Sequence, residues 1–94
     1  MNTEKFGLCL GRHNIPGVES YIFGNEIDPL DLDGMEKQAR EKLHTFHNKK
    51  ITLYITGLTV ALISALNVCR DFNITVTLMH YDRESGNYYV QEVK

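Results

Sequence analysis

From Ile51 to Cys69 the chain carries nineteen consecutive residues without a charged side chain, with Lys49 and Lys50 before them and Arg70 after. A stretch of that length is within reach of a helical membrane span. Its order of residue types argues for something else. Ile51, Leu53 and Ile55 alternate with Thr52, Tyr54 and Thr56, the period of a half-buried strand. Gly57 then interrupts, and only afterwards does the composition become helical. The segment reads as a strand, a turn and a buried helix, and no membrane partner is expected.

The remaining chain extends this alternation. Phe6 to Leu10 is a short apolar run closed by Gly11, suited to a first buried strand. Pro16-Gly17 marks a turn, and Val18 to Phe23 reads as a second strand or one irregular helical turn. From Leu32 to about Asn48, apolar Leu32, Met35, Ala39, Leu43 and Phe46 recur every three or four residues. That spacing predicts an amphipathic helix with one buried stripe, with Asp31 or Asp33 as its N-cap. Thr59 to about Phe72 is a second helix, apolar on nearly every side, which has to be covered twice and so points to a partner subunit. Asn73 ends it in a left-handed conformation. Ile74 to His80 alternates as a third core strand, Arg83 to Asn87 is a hairpin turn, and Tyr88 to Val93 returns antiparallel. Strands alternating with helices imply right-handed crossovers. The prediction is a single α/β domain over residues 1–94, small, Rossmann-like and three-layered, its mainly parallel sheet ending in an antiparallel hairpin strand.

Ninety-four residues, 43% hydrophobic and 23% charged, are enough for one ordered domain with a thin core. A net charge of −2 argues against duplex nucleic acid as a partner, which calls for a basic surface. Cys9 and Cys69 stand in apolar surroundings without a zinc spacing, so both are expected buried and reduced. No signal-peptide shape precedes Phe6, which makes the expected location cytoplasmic.

In open α/β sheets ligands bind beyond the carboxyl ends of the strands. Three segments fall there: Gly11, Arg12, His13 and Asn14 after the first strand; Thr56, Gly57, Leu58 and Thr59 after the central one; His80, Tyr81, Asp82 and Arg83 after the next. Arginine pairs bidentately with phosphate, and histidine moves protons near neutral pH. Glycine before a helix start lets an anion approach free amides. Each element has a plainer reading. Thr59 can cap the helix while Gly57 turns the chain, Arg12-His13 can be a solvated loop end, and His80 to Arg83 can be a hairpin shoulder. His44 and His47, three apart, have no evident third metal ligand, so no metal site is expected. Tyr88 and Tyr89 point to opposite faces of the last strand, one to pack and one to stack.

The run from Ile51 to Leu66, with Thr56-Gly57-Leu58-Thr59 at its centre, resembles the strand–Thr-Gly-x-Thr–helix element of CRISPR-associated Rossmann-fold (CARF) domains. Leu10-Gly11-Arg12-His13-Asn14 resembles the Arg-His loop of small stand-alone CRISPR accessory proteins described as ring nucleases. The similarity spans about half to two-thirds of the chain, and Leu58 stands where the family usually has a second glycine.

The resemblance implies a role in antiviral defence: a homodimer with a two-fold pocket for a cyclic oligoadenylate, a nucleotide-binding function without cofactor. The family-type reaction is a metal-independent attack of a ribose 2′-hydroxyl on its adjacent phosphate. On that basis Arg12 and the Thr56–Thr59 amides would hold phosphate, and His13 would transfer the proton. A non-catalytic sponge or sensor, a protein for another phosphate ligand, and a small interaction protein with no nucleotide ligand are the alternatives.

Overall fold

Ile51, Leu53, Val76 and Leu78 are buried, whereas Thr52, Tyr54, Thr77 and Met79 between them are only half-buried. That alternation builds two neighbouring strands with one face in the core. The computed structural model describes residues 4–9, 15, 17–18, 20–24, 28–56 and 59–93. Its elements are β1 (Glu4–Cys9), β2 (Ser20–Phe23), α1 (Leu32–Leu43), β3 (Lys50–Tyr54), α2 (Thr59–Asp71), β4 (Thr75–Asp82) and β5 (Asn87–Val93). They form one sheet in the order β2-β1-β3-β4-β5. The first four strands run parallel, and β5 returns antiparallel along β4. This is the α/β, Rossmann-like arrangement that the sequence predicts.

The predicted helix stripe is present, with Met35, Ala39 and Leu43 buried along α1. The Asp31 carboxylate accepts the Gly34 amide proton at 3.0 Å and caps the helix, so Asp31 and not Asp33 is the N-cap. The helix ends earlier than its periodicity suggests: His44–Phe46 tighten into a narrower turn, and Asn48 takes a φ of 63°. Asn73, at a φ of 55°, ends α2 in the expected left-handed conformation. Its side-chain amide donates to Asn48 at 2.8 Å, joining the ends of the two helical segments.

The segment left open between strand and helical turn is strand β2, in register with β1 through Phe6↔Ser20, Gly7↔Tyr21 and Cys9↔Phe23. Both helices pack on the same face of the sheet, where Arg40 of α1 meets Asp71 of α2 at 2.6 Å. The topology explains this: β2 to β3 and β3 to β4 cross in the same direction, and right-handed crossovers put both helices on one side. Among the described residues no helix covers the other face. Ala61, Ala65, Val68 and Cys69 of α2 are buried against the sheet and α1, leaving Val60 and Ile63 exposed. The second cover that the sequence assigns to a partner subunit is thus largely supplied by α1. Both cysteines lie in the interior, and burial pushes the Cys69 thiol up to about 11.

Candidate functional site

Because β1 to β4 are parallel, their carboxyl ends share one edge. The ladder between β1 and β3 stops at Gly7↔Tyr54. Beyond it, the Thr56 hydroxyl accepts the Cys9 amide proton at 3.2 Å and donates to the Cys9 carbonyl at 3.3 Å. Thr56 is 4% exposed. Its hydroxyl therefore fastens the ends of two strands from which two of the three predicted segments depart. Gly11, Arg12, His13 and Asn14 follow Cys9, and Gly57 and Leu58 follow Thr56; all six lie outside the described residues. Thr59 is the exposed first residue of α2, at the same edge.

The third predicted segment lies on a projecting arm. Strand β4 stays in contact with β3 up to Met79, whose carbonyl takes the Ile55 amide proton at 3.0 Å. His80, Tyr81 and Asp82 continue past that point and, among the described residues, pair only with Tyr89, Tyr88 and Asn87 of β5. Three residues extend the arm by about 10 Å. His80 is half-buried, its Nε2 lies 2.8 Å from the Gln91 side-chain oxygen, and its ring stacks on Tyr89 at 5.0 Å. Tyr81 is 51% exposed and meets the ring of Tyr88 at 5.3 Å. Arg83 is exposed in the turn, and among the described residues no carboxylate pairs with it. The turn is shaped by Asp82, whose carboxyl is held below its ordinary range by the Ser85 hydroxyl and then by the Glu84 amide.

The sequence reading missed an aromatic group. Tyr21, Tyr54, Tyr81 and Tyr88 come from four strands and gather on the helix-free face. Tyr54 meets Tyr88 edge-on at 5.1 Å, and the Tyr21 ring lies across Gly7. Burial, followed by the neighbouring phenols of Tyr81, Tyr54 and Tyr21, raises the pKa of Tyr88. Tyr88 is thus the residue of its pair that packs on this face. Tyr89, 57% exposed, stacks on the other face with His80. Only the register across four strands brings the tyrosines together, so no spacing in the sequence signals them.

The two histidines of the first helical region have local partners. His44 Nδ1 lies 2.8 Å from the Glu41 carbonyl, and His47 stacks on Phe72 at 4.0 Å. Among the described residues no three histidine, cysteine or acidic side chains converge as metal ligands. Among them, too, no helix is long and apolar enough to cross a membrane. A cleft of about 170 Å³ beside Leu66, Cys69, Asn73, Val76 and Val93 opens at the amino ends of the strands, away from this edge.

Comparison with protein-family models, with curated proteins and with solved structures finds no match. The functional reading therefore stands on the carboxyl edge itself.

Proposed function

We propose that this chain works in the cytoplasm as a homodimer that binds a cyclic oligoadenylate second messenger at the carboxyl edge of its parallel strands and cleaves it. The observation that supports this most is the Thr56–Cys9 tie. It holds together the two strand ends from which the Arg12-His13 segment and the chain leading to Thr59 depart. A ligand bound at that edge would draw on Arg12 for its phosphate, on the helix start at Thr59, and on the aromatic arm of Tyr81 and His80 for its bases. The buried Thr56 hydroxyl serves as a positioning group, and phosphate contact falls to Arg12, Thr59 and the intervening amides.

In the reaction, a ribose 2′-oxygen bonds to the adjacent phosphorus while the bond from phosphorus to the 5′-oxygen breaks. The products are a linear chain with a 2′,3′-cyclic phosphate at one end and a 5′-hydroxyl at the other. The 2′-hydroxyl proton leaves as the 5′-oxygen gains one, and His13 carries that exchange. Arg12 and the amides stabilise charge on the phosphoryl oxygens, and binding aligns the attacking oxygen with the leaving one.

Incubation with cyclic tetra- and hexa-adenylate in the presence of a chelator tests the reaction. Linear products ending in a cyclic phosphate are expected, and they should disappear in His13→Ala. Binding without products would leave the sponge or sensor. That second reading draws on His80, the described histidine at this edge, being occupied by Gln91 and Tyr89.

A further inference from the structure

The register places side chains in rows across the helix-free face. One row reads Lys5, Thr52, Thr77, Glu92 from β1 to β5, and the next reads Gly7, Tyr54, Met79, Val90. Further toward the carboxyl edge stand Tyr81 and Tyr88. Lys5 and Glu92 are exposed at opposite ends of the same row, and the half-buried threonines lie between them. Val90 and Tyr81 are 58% and 51% exposed. Among the described residues the face thus has an apolar and aromatic middle between Lys5 and Glu92, with exposed Lys50 at the amino end of β3.

We propose that this face pairs with the same face of a second copy, about a two-fold axis that runs along the strands between β3 and β4. Two sheets packed face to face lie about 10 Å apart with their strands nearly aligned. Rotation about that axis exchanges the two ends of every row. Lys5 then lies over the partner's Glu92 and Glu92 over the partner's Lys5, giving two charge pairs from one contact, as a self-complementary interface requires. In the next row the same rotation sets Tyr54 over the partner's Met79, a favourable sulfur–aromatic contact. It also sets Val90 over the partner's Gly7, where the Tyr21 ring provides an apolar seat. An in-plane axis across the strands through this row would instead oppose lysine to lysine and glutamate to glutamate, and one through the next row would leave both unpaired. The charge pattern selects the axis along them.

This choice of axis has a geometric consequence. Strand direction is unchanged by the rotation, so the carboxyl edges of both copies emerge side by side. Two Thr56–Cys9 ties then border one symmetric cleft, suited to a ring ligand with two-fold symmetry. The pairing does not rest on the ligand reading, and its test uses no nucleotide.

Sedimentation equilibrium on the full chain provides that test. The wild type is expected to be a dimer. Val90→Arg, on an exposed edge position that folding tolerates, is expected to make it monomeric. Lys5→Glu and Glu92→Lys each set like charges together twice and are expected to weaken the dimer by about tenfold or more. The double variant Lys5→Glu/Glu92→Lys restores opposite charges and is expected to recover the wild-type dissociation constant. A monomeric wild type would overturn the proposal. So would a dimer indifferent to Val90→Arg, a dimer disrupted only by Ile63→Arg on α2, or single charge reversals that the double variant does not rescue.

Discussion

The Thr56 side chain holds the backbone of Cys9 by two hydrogen bonds, across forty-seven positions of sequence, at the point where the β1–β3 ladder ends. The bonds replace the next rung of that ladder with a side chain. A buried hydroxyl placed this way fixes where the chain leaves both strands. Thr56→Val removes both bonds without changing side-chain shape. It is expected to cost about 1–3 kcal/mol in chemical denaturation, which in a domain of this size lowers the melting temperature by about 4–8 °C per kcal/mol. Thr56→Ser, which keeps the hydroxyl, should retain most of that stability.

The close passage of Tyr21 over Gly7 gives a second expectation. A methyl group at residue 7 would enter the tyrosine ring. Gly7→Ala is expected to destabilise the fold by about 1–3 kcal/mol through overpacking. In Tyr21→Ala the space is vacant, so the double variant should lose less than the two single losses added together. Urea unfolding of the four proteins measures the difference.

Cys69 makes alkaline stability a readout of burial. Its thiol is pushed up from 9.0 to about 11 because the interior disfavours thiolate. Below 9 both folded and unfolded chains carry the proton, and no stability is lost. Between about 9 and 11 the unfolded chain releases it first, so stability falls by up to about 1.4 kcal/mol per pH unit from this group. Cys69→Ala should show a shallower decline than the wild type across that window. Alkylation of the native protein at pH 8 should be slow at Cys69 and become rapid on unfolding.

On the projecting arm, Tyr81 is exposed enough to be removed at little cost to folding. If a base stacks there, Tyr81→Ala is expected to weaken cyclic oligoadenylate binding by about 1–3 kcal/mol, measured by calorimetric titration, while the melting temperature of the unligated protein stays nearly unchanged. Equal affinity in variant and wild type would remove the arm from the site.

Much of the fold is legible in the sequence because local signals agree with one another. The alternation through Ile51, Leu53, Val76 and Leu78 gives the central strands. The Met35, Ala39 and Leu43 spacing gives the first helix, and Asp31 and Asn73 mark ends by their side-chain chemistry. Strand β2 is less legible, since its four residues gain their identity only by pairing with β1. Among the described residues both helices stand on one side, because crossover direction, which no local pattern records, puts them there. At the candidate site the sequence points to strand ends that share one edge but cannot assign the Thr56 hydroxyl. A threonine beside a glycine fits a ligand contact as well as a structural one, and only the nearness of Cys9 decides. The tyrosine face is invisible for the same reason, because register is a property of paired strands.

Thermal unfolding with and without cyclic tetra- and hexa-adenylate tests the central claim most directly. Ligand at a hundred times its dissociation constant should stabilise the protein by about 2.7 kcal/mol, a rise of roughly ten degrees or more in a domain this small. The account predicts that rise for one of the rings, and its loss in Arg12→Ala with folding intact. No rise with either ring, from protein that unfolds cooperatively, would contradict it.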